Sequence, residues 1–509
     1  MKHSVLSYAA AAVAFLTLFA APASIRAEDP PTSDSTKLAV VPGDKPIDYG
    51  ADPLRFLEND RVKLGLDLSL GGAVTYLEDK ANKSGNMINS FDWGRQIQLS
   101  YYSGPVPYIG PNGEKPFERW AGLGWNPIQS GDCGRYRSYV LEFKRISDKE
   151  AFLRARPMLW PNSGVPAECV FECRYELMDN GFVLDATIVN NRSDKTQYPA
   201  RNQETPAVYT NAPWYKLVSY LGDKPFENEP VTTVVDKADG KGWPWRRYYS
   251  PERWTALVNE KNYGVGVYQP FSTLTSGGFH GGDAAKGQNL GPKDVATGYI
   301  APWETTILDW NIRRTYRATF IVGSVDEIRS TVYKLAKNDL PETPNWVFQG
   351  DRQNWSYIDA TDEGYPIADA LKINLKEGAQ AIAKSPDIFW KTENAKTLEI
   401  DCALTQEKVD VDGGVTVRFT PVSPADGVDY LQWSEGAFDR DKDRAEKEKT
   451  RPRLPQIYVD APVKFDGKRR VVSVDLSKVE GYSGAMKSVE IIFPKTNGKA
   501  TLYRVGFVK

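Results

Sequence analysis

Four segments of this 509-residue sequence set carboxylates, amides and arginines among aromatic rings. NSFDWGRQIQLSYYSGP carries Asp92, Arg95, Gln96, Gln98, Tyr101 and Tyr102, and WAGLGWNPIQSGDCGRY carries Trp120, Trp125, Asn126, Gln129 and Asp132. RNQETPAVYTNAPWY holds Gln203, Glu204, Tyr209 and Trp214, and GKGWPWRRYYSPERW holds Trp243, Trp245, Arg246, Arg247 and Trp254. A ligand with many hydroxyls and flat C–H faces is bound by such a mixture, because rings stack on the faces while amides, carboxylates and guanidinium groups bond the hydroxyls. Arg95, Trp125, Asn126, Gln203, Trp243, Trp245, Arg246 and Arg247 are therefore the expected ligand-binding residues. Trp243 and Trp245 flank Pro244 in a glycine-containing stretch outside any strand pattern, as an exposed stacking platform requires. Trp254 begins an alternating strand and is expected in the core.

Four side chains could move protons. Glu204, in NQETP, is expected in a polar loop beside aromatic rings, where a carboxyl is raised in pKa and can donate a proton. His280, in TSGGFHGG, is expected in a bent loop, where an imidazole can shuttle protons near neutral pH. Asp92 and Asp132 are the second-choice carboxylates, and Arg95 could instead pair with either of them and brace a loop. Two reactions use these parts. In hydrolysis Glu204 protonates a leaving oxygen while Asp92 or Asp132 activates water or attacks. In β-elimination His280 or a tyrosine takes a proton beside a carboxylate that Arg95, Arg246 or Arg247 neutralises.

The elements that carry these residues read as strands. Aromatics make up 12% of the chain, with 41 Gly and 34 Pro, a composition that suits an all-β protein. VKLGLDLSLGGAVTYLED predicts a hairpin broken at Gly71-Gly72, and CRYELMDNGFVLDATIVNN one whose Asn180-Gly181 supplies positive φ. WTALVNEKNYGVGVYQP predicts a third, bending at Glu260 to Asn262. TYRATFIVG is a further strand. GSVDEIRSTVYKLAK predicts a helix, with Val325, Ile328, Val332 and Leu335 at helical spacing and Ser324 and Glu327 as a capping box. NDLPETPN stops that helix. VTVRFTP, RRVVSVDLS, KSVEIIFP and TLYRVGFVK then alternate as in a β-sandwich. The expected division is a signal peptide over 1–27, a flexible leader over 28–50, a first β domain over 51–338, a linker over 339–345 and a second over 346–509. In the second, Trp346, Trp355, Tyr357, Trp390 and Trp433 could form a stacking platform or, for the first three, a seam between the domains. The mixed charges of 439–453 read as a solvated loop.

The N-terminal MKHSVLSYAAAAVAFLTLFAAPASIRA has the polar start, apolar run and small residues of an export signal cleaved after Ala27, or after Ala23. The expected location is secreted or periplasmic, with no membrane span after cleavage. The formal charge of −2 lacks the basic excess of a nucleic-acid binder. Two histidines, His3 and His280, are too few for a multi-histidine metal centre, and no cofactor is expected. Asp410 and Asp412 in VDVDGG could hold a structural Ca²⁺, although a hairpin turn explains them better. Cys169 and Cys173 share a strand face roughly 13 Å apart, too far to bridge, while Cys133 could pair with either.

LGLDLSLGGAVTYLED, FVLDATIVNNRSDKT and RRTYRATFIVG resemble, respectively, the opening strand pair, the long strand with its Asn-rich turn and the closing strand of the galactose-mutarotase-like β-supersandwich. VDLSKVEGYSGAMKSVEIIFPK and ATLYRVGFVK resemble the last strands of carbohydrate-binding jelly rolls. The resemblance implies an all-β chain with an N-terminal supersandwich, one helix and a jelly-roll-like C-terminal sandwich, and a polysaccharide or oligosaccharide as partner. True mutarotases use two histidines and a glutamate, whereas only His280 follows the export signal here, so mutarotation is not the expected activity. The expectation is an exported polysaccharide-degrading glycoside hydrolase, with a polysaccharide lyase or a non-catalytic glycan-binding protein as alternatives.

Overall fold

The computed structural model describes residues 37–234, 245–407, 414–422 and 455–509. Two large antiparallel sheets lie face to face. The first has ten strands, ordered Leu54–Glu58, Val62–Asp67, Ala73–Asp79, Ile97–Ser100, Arg201–Asn211, Thr297–Thr306, Leu274–His280 and Arg246–Tyr249, with two short strands off this path. The second has nine and includes Cys169–Met178, Gly181–Asn190, Arg313–Ser324, Tyr263–Tyr268 and Trp254–Val258. Val208 and Ile300 from the first sheet and Phe182, Leu257 and Phe320 from the second meet in one apolar core. The Phe182 and Phe320 rings stack at 4.3 Å. This is a two-sheet β-sandwich, within the all-β class that the composition and alternating patterns predict.

The hairpins form where the patterns place them, with one different cause. Gly71 and Gly72 have φ of 59° and 75°, left-handed values that favour glycine. Gly181 does not: neither it nor Asn180 has a positive φ. It pairs with Ile321, and a Cβ there would lie 1.8 Å from the Phe320 carbonyl oxygen, so Gly181 is required by the close approach of the neighbouring strand. The helix Val325–Asp339 buries Val325, Ile328, Val332 and Ala336 and is closed by the Ser324–Glu327 capping box. Trp254 is buried, as expected.

Beyond the helix, two six-stranded sheets form a second sandwich, one built around Gly498–Val508 and Thr397–Gln406, the other around Ala485–Ile492 and Val415–Pro421. Trp346, Trp355, Tyr357 and Trp390 are buried in its core, so they make no exposed platform. Trp346 and Phe348 meet Trp355 edge-on. Trp355 also lines a small, partly open cleft with Thr306, Ile312, Arg314 and Arg352, at the seam between the two sandwiches. Polar groups bind the seam: Arg352 pairs with Asp309 and Asp362, and Gln197 donates to both of those carboxylates.

Residues 37–50 form no regular element but are fastened to the first sandwich. Asp44 pairs with Arg156 at 2.9 Å, and Ile47 donates to the Val140 carbonyl. No disulfide joins the cysteines; Cys169 and Cys173 are buried thiols, and burial pushes the Cys173 thiol up to about 12. Residues 1–36, Trp243, Asp410, Asp412, Trp433 and the charged run 439–453 lie outside the described residues. Among the described residues no helix is long and apolar enough to cross a membrane.

Candidate active site

The ten-stranded sheet has an outer face, turned away from the second sheet, and the strand register decides what stands on it. Glu204 pairs with Trp303 and Tyr209 with Tyr299, so these four side chains share one face, while their neighbours Gln203 and Glu304, paired with each other, point to the other. Continuing across the sheet, Ser276 opposes Ala301 and His280 opposes Thr297, and Arg247 opposes Ser276. Four strands therefore present Glu204, Tyr209, Tyr299, Trp303, His280 and Arg247 together, and Tyr102, just past the strand Ile97–Ser100, joins them through Glu204.

Glu204 is at the centre. It lies within a strand rather than in the expected loop. Pro206, in the same strand, cannot donate to a ladder. The sheet accommodates it with a register shift between Glu204 and Val208, a bulge that changes how the strand aims its side chains. Tyr299 Oη donates to Glu204 Oε1 at 2.5 Å and Tyr102 Oη to Oε2 at 3.0 Å. Burial raises the carboxyl above its ordinary pKa, and this outweighs the two tyrosine bonds, which favour the charged form. Glu204 remains partly exposed. Tyr102 is set by buried Gln203, whose amide accepts from its N–H at 2.6 Å and donates to its carbonyl at 3.1 Å.

Aromatic rings floor the site. Trp245 stacks on Tyr299 with centroids 4.6 Å apart, and Tyr209 lies 4.9 Å from Tyr299 and 6.4 Å from Trp245. Trp245 is thus part of the site, but only 8% exposed, so it is floor rather than a projecting platform. Arg247 lies over Trp303 at 4.7 Å. Tyr299 and Trp303 were not singled out from sequence; the alternation of Tyr299, Ala301 and Trp303 in GYIAPWETT was the available signal.

At the other end, Arg95 pairs with Asp92 at 3.2 Å and donates to the Val295 carbonyl at 2.6 Å. The charges of Asp92 and Arg95, like that of Glu204, act on the Tyr209 hydroxyl. His280 ends a strand instead of sitting in a bent loop, and burial, helped by the Arg95 charge, lowers its pKa. Beside Asp92 the Trp160 ring abuts Gly94, and Trp120 meets Trp160 edge-on at 5.8 Å, which extends the aromatic surface.

Other expected site residues serve the scaffold. Asp132 is buried, and its carboxylate accepts from the backbone N–H groups of Gly134, Tyr136 and Gly164 at 2.8, 2.9 and 2.6 Å. It is a loop clamp, and burial raises its pKa to about 6. Trp125 is fully buried under the Arg192 guanidinium at 4.6 Å, and Asn126, also fully buried, donates to Ser100 Oγ and the Tyr101 carbonyl. Gln203 positions Tyr102 from beneath and has no surface for a ligand. Arg246 pairs through its backbone with Gly277, and Trp243 lies outside the described residues. Among the described residues no group of three or more His, Cys, Asp or Glu side chains could hold a metal.

No protein-family model matches this chain, and no curated protein matches it. Solved structures do. A galactose mutarotase-like protein from Lactobacillus casei overlaps 53% of this chain and 99% of its own at 14% identity and a TM-score of 0.34. A galactose mutarotase related enzyme from Lactobacillus acidophilus overlaps 53% and 97% at 12% identity and a TM-score of 0.33. A 4-alpha-glucanotransferase from Thermococcus litoralis overlaps 55% and 40% at 10% identity and a TM-score of 0.28. Each overlap covers about half of this chain.

Proposed function

We propose that this protein is an exported enzyme that cleaves polysaccharide, with Glu204 as its proton donor. One observation carries the reading: a partly exposed carboxyl, raised in pKa, held between the hydroxyls of Tyr102 and Tyr299 on a floor of aromatic rings. A sugar ring lying on Tyr209, the partly exposed ring beside buried Tyr299, would present its linkage oxygen to Glu204. Protonated Glu204 gives its proton to that oxygen as the bond breaks, and the two tyrosine hydroxyls hold the carboxylate that remains. Asp92 is the second carboxylate of a hydrolytic route, activating water or attacking the sugar. The export-signal pattern of residues 1–27 supports placement outside the cytoplasm.

Elimination is the second reading. It is favoured by His280, whose lowered pKa keeps a neutral imidazole ready to accept a proton, and by Arg247, a cation able to neutralise a sugar carboxylate. Incubation with a panel of polysaccharides separates the two. New reducing ends without ultraviolet gain mark hydrolysis; ultraviolet absorbance of an unsaturated uronate marks elimination. Binding without products from any member of the panel would leave the protein a glycan binder and refute the catalytic reading.

A further inference from the structure

We infer that the glycan bound on this face is acidic, and that Arg247, braced on Trp303, holds its carboxylate or sulfate groups. This rests on the reading of the Glu204 face as a sugar site. The argument is the charge balance of that face. Asp92 and Arg95 cancel each other as an ion pair. Arg201, over the Tyr102 ring, uses its guanidinium on the carbonyls of Ser103 and Leu123. Glu204 shares its carboxyl with two tyrosine hydroxyls, and burial favours its uncharged form. His280 is held toward neutrality. Arg247 is the exception. It is half-buried, and no carboxylate among the described residues pairs with it. Among the described residues Arg247 is thus the one arginine named on this face whose guanidinium bonds neither a carboxylate nor a carbonyl.

Its placement gives that charge a use. Trp303, directly opposite Glu204 in the ladder, supports the guanidinium at 4.7 Å. Ring stacking occupies one flat side of the group and leaves the edge donors for an anion. A neutral sugar would leave this half-desolvated cation unpaired, a cost that a carboxylate or sulfate removes by accepting two parallel bonds. A sugar beside the one at Glu204 would carry the anion, so the preference falls on a chain of acidic units rather than on a free monosaccharide.

Affinity electrophoresis tests this, in gels containing polygalacturonate, alginate or hyaluronan, each beside its methyl-esterified form. Dextran sulfate beside dextran separates a sulfate ligand from a carboxylate one. Wild-type protein is retarded by at least one acidic polymer and released by its neutral counterpart. Arg247→Gln weakens the acidic interaction by about tenfold or more, the usual effect of losing a charge-assisted bond. Arg313→Gln, which removes an exposed charge paired with Glu172 on the second sheet, controls for net charge. Equal retardation by acidic and neutral polymers, no retardation by any polymer, or an unchanged acidic preference in Arg247→Gln would overturn the inference. If the wild type binds acidic polymer through Arg247 but cleaves nothing, the catalytic reading fails while this inference survives; cleavage of neutral polymer alone gives the reverse.

Discussion

Glu204 and Glu304 stand in adjacent residue pairs of the same two strands, yet they face opposite sides of one sheet. Both carboxyls are raised in pKa by burial. Glu304 is sealed inside, 1% exposed, with Arg314 approaching at 3.6 Å. That arginine is shared with Asp351 and Asn354 of the second sandwich, so it compensates Glu304 only partly, and the carboxyl is pushed up to about 7. Glu204 is partly exposed and held by two tyrosine hydroxyls among rings. The pair teaches that a raised carboxyl does not make a site. What distinguishes Glu204 is that a ligand can reach it and that its neighbours suit one. Asp132, raised to about 6 and saturated by three backbone amides, makes the same point.

The largest expected effect separates the two glutamates outright. Glu204→Gln should lower kcat on a cleaved glycan by about 100-fold or more, the usual range for a lost general acid, with an unchanged melting temperature. Glu304→Gln should leave kcat within about twofold, since that face meets no ligand. Equal losses in both variants would erase the distinction. Tyr299→Phe comes next. Its hydroxyl favours charged Glu204, so removing it raises the Glu204 pKa further, and the alkaline limb of the pH–rate profile should move to higher pH. Tyr102→Phe, which removes the longer bond, should move the limb less. A shift to lower pH would contradict the proton-donor role.

Asp132→Asn should cost about 1–3 kcal/mol of unfolding free energy, because an amide cannot accept all three backbone bonds. Surviving protein should keep wild-type KM and kcat; a selective loss of kcat would return Asp132 to the catalytic set. The smallest effect is pH-linked. Glu304 holds its proton when folded up to about 7, whereas an ordinary glutamate releases it near 4.5. The folded state thus binds more protons between those values, and stability should fall as pH rises through this window. Chemical denaturation of wild type and Glu304→Gln at pH 4.5 and 7.5 should show a smaller decline in the variant. An identical decline would mean that Arg314 keeps Glu304 charged.

Much of the fold was legible because it follows from local pattern. Alternation along CRYELM and FVLDATIVN assigns a strand and its buried face in one step, since side chains alternate at every residue. The Ser324–Glu327 capping box needs only a four-residue spacing. Legibility failed where cause and pattern parted. Gly181 ends a turn in sequence but is demanded by a carbonyl of another strand. Trp125 and Asn126 look like site residues because they sit among polar neighbours, and only the packed core shows them to be enclosed.

The sequence by itself determined the composition of the site: a glutamate, aromatic rings and arginines, on alternating stretches able to form strands. It determined the all-β class for the same reason, because a period of two and the capping of a single helix are properties of neighbouring residues. Which of those residues meet was decided only by the tertiary structure. Glu204, Tyr299 and Arg247 come from three strands widely separated along the chain, and only the ladder register and the bulge after Glu204 turn them to one face, while Gln203 holds Tyr102 beside them. A one-residue slip in any of those pairings would send a side chain to the core instead, and no local pattern encodes a register between strands so far apart.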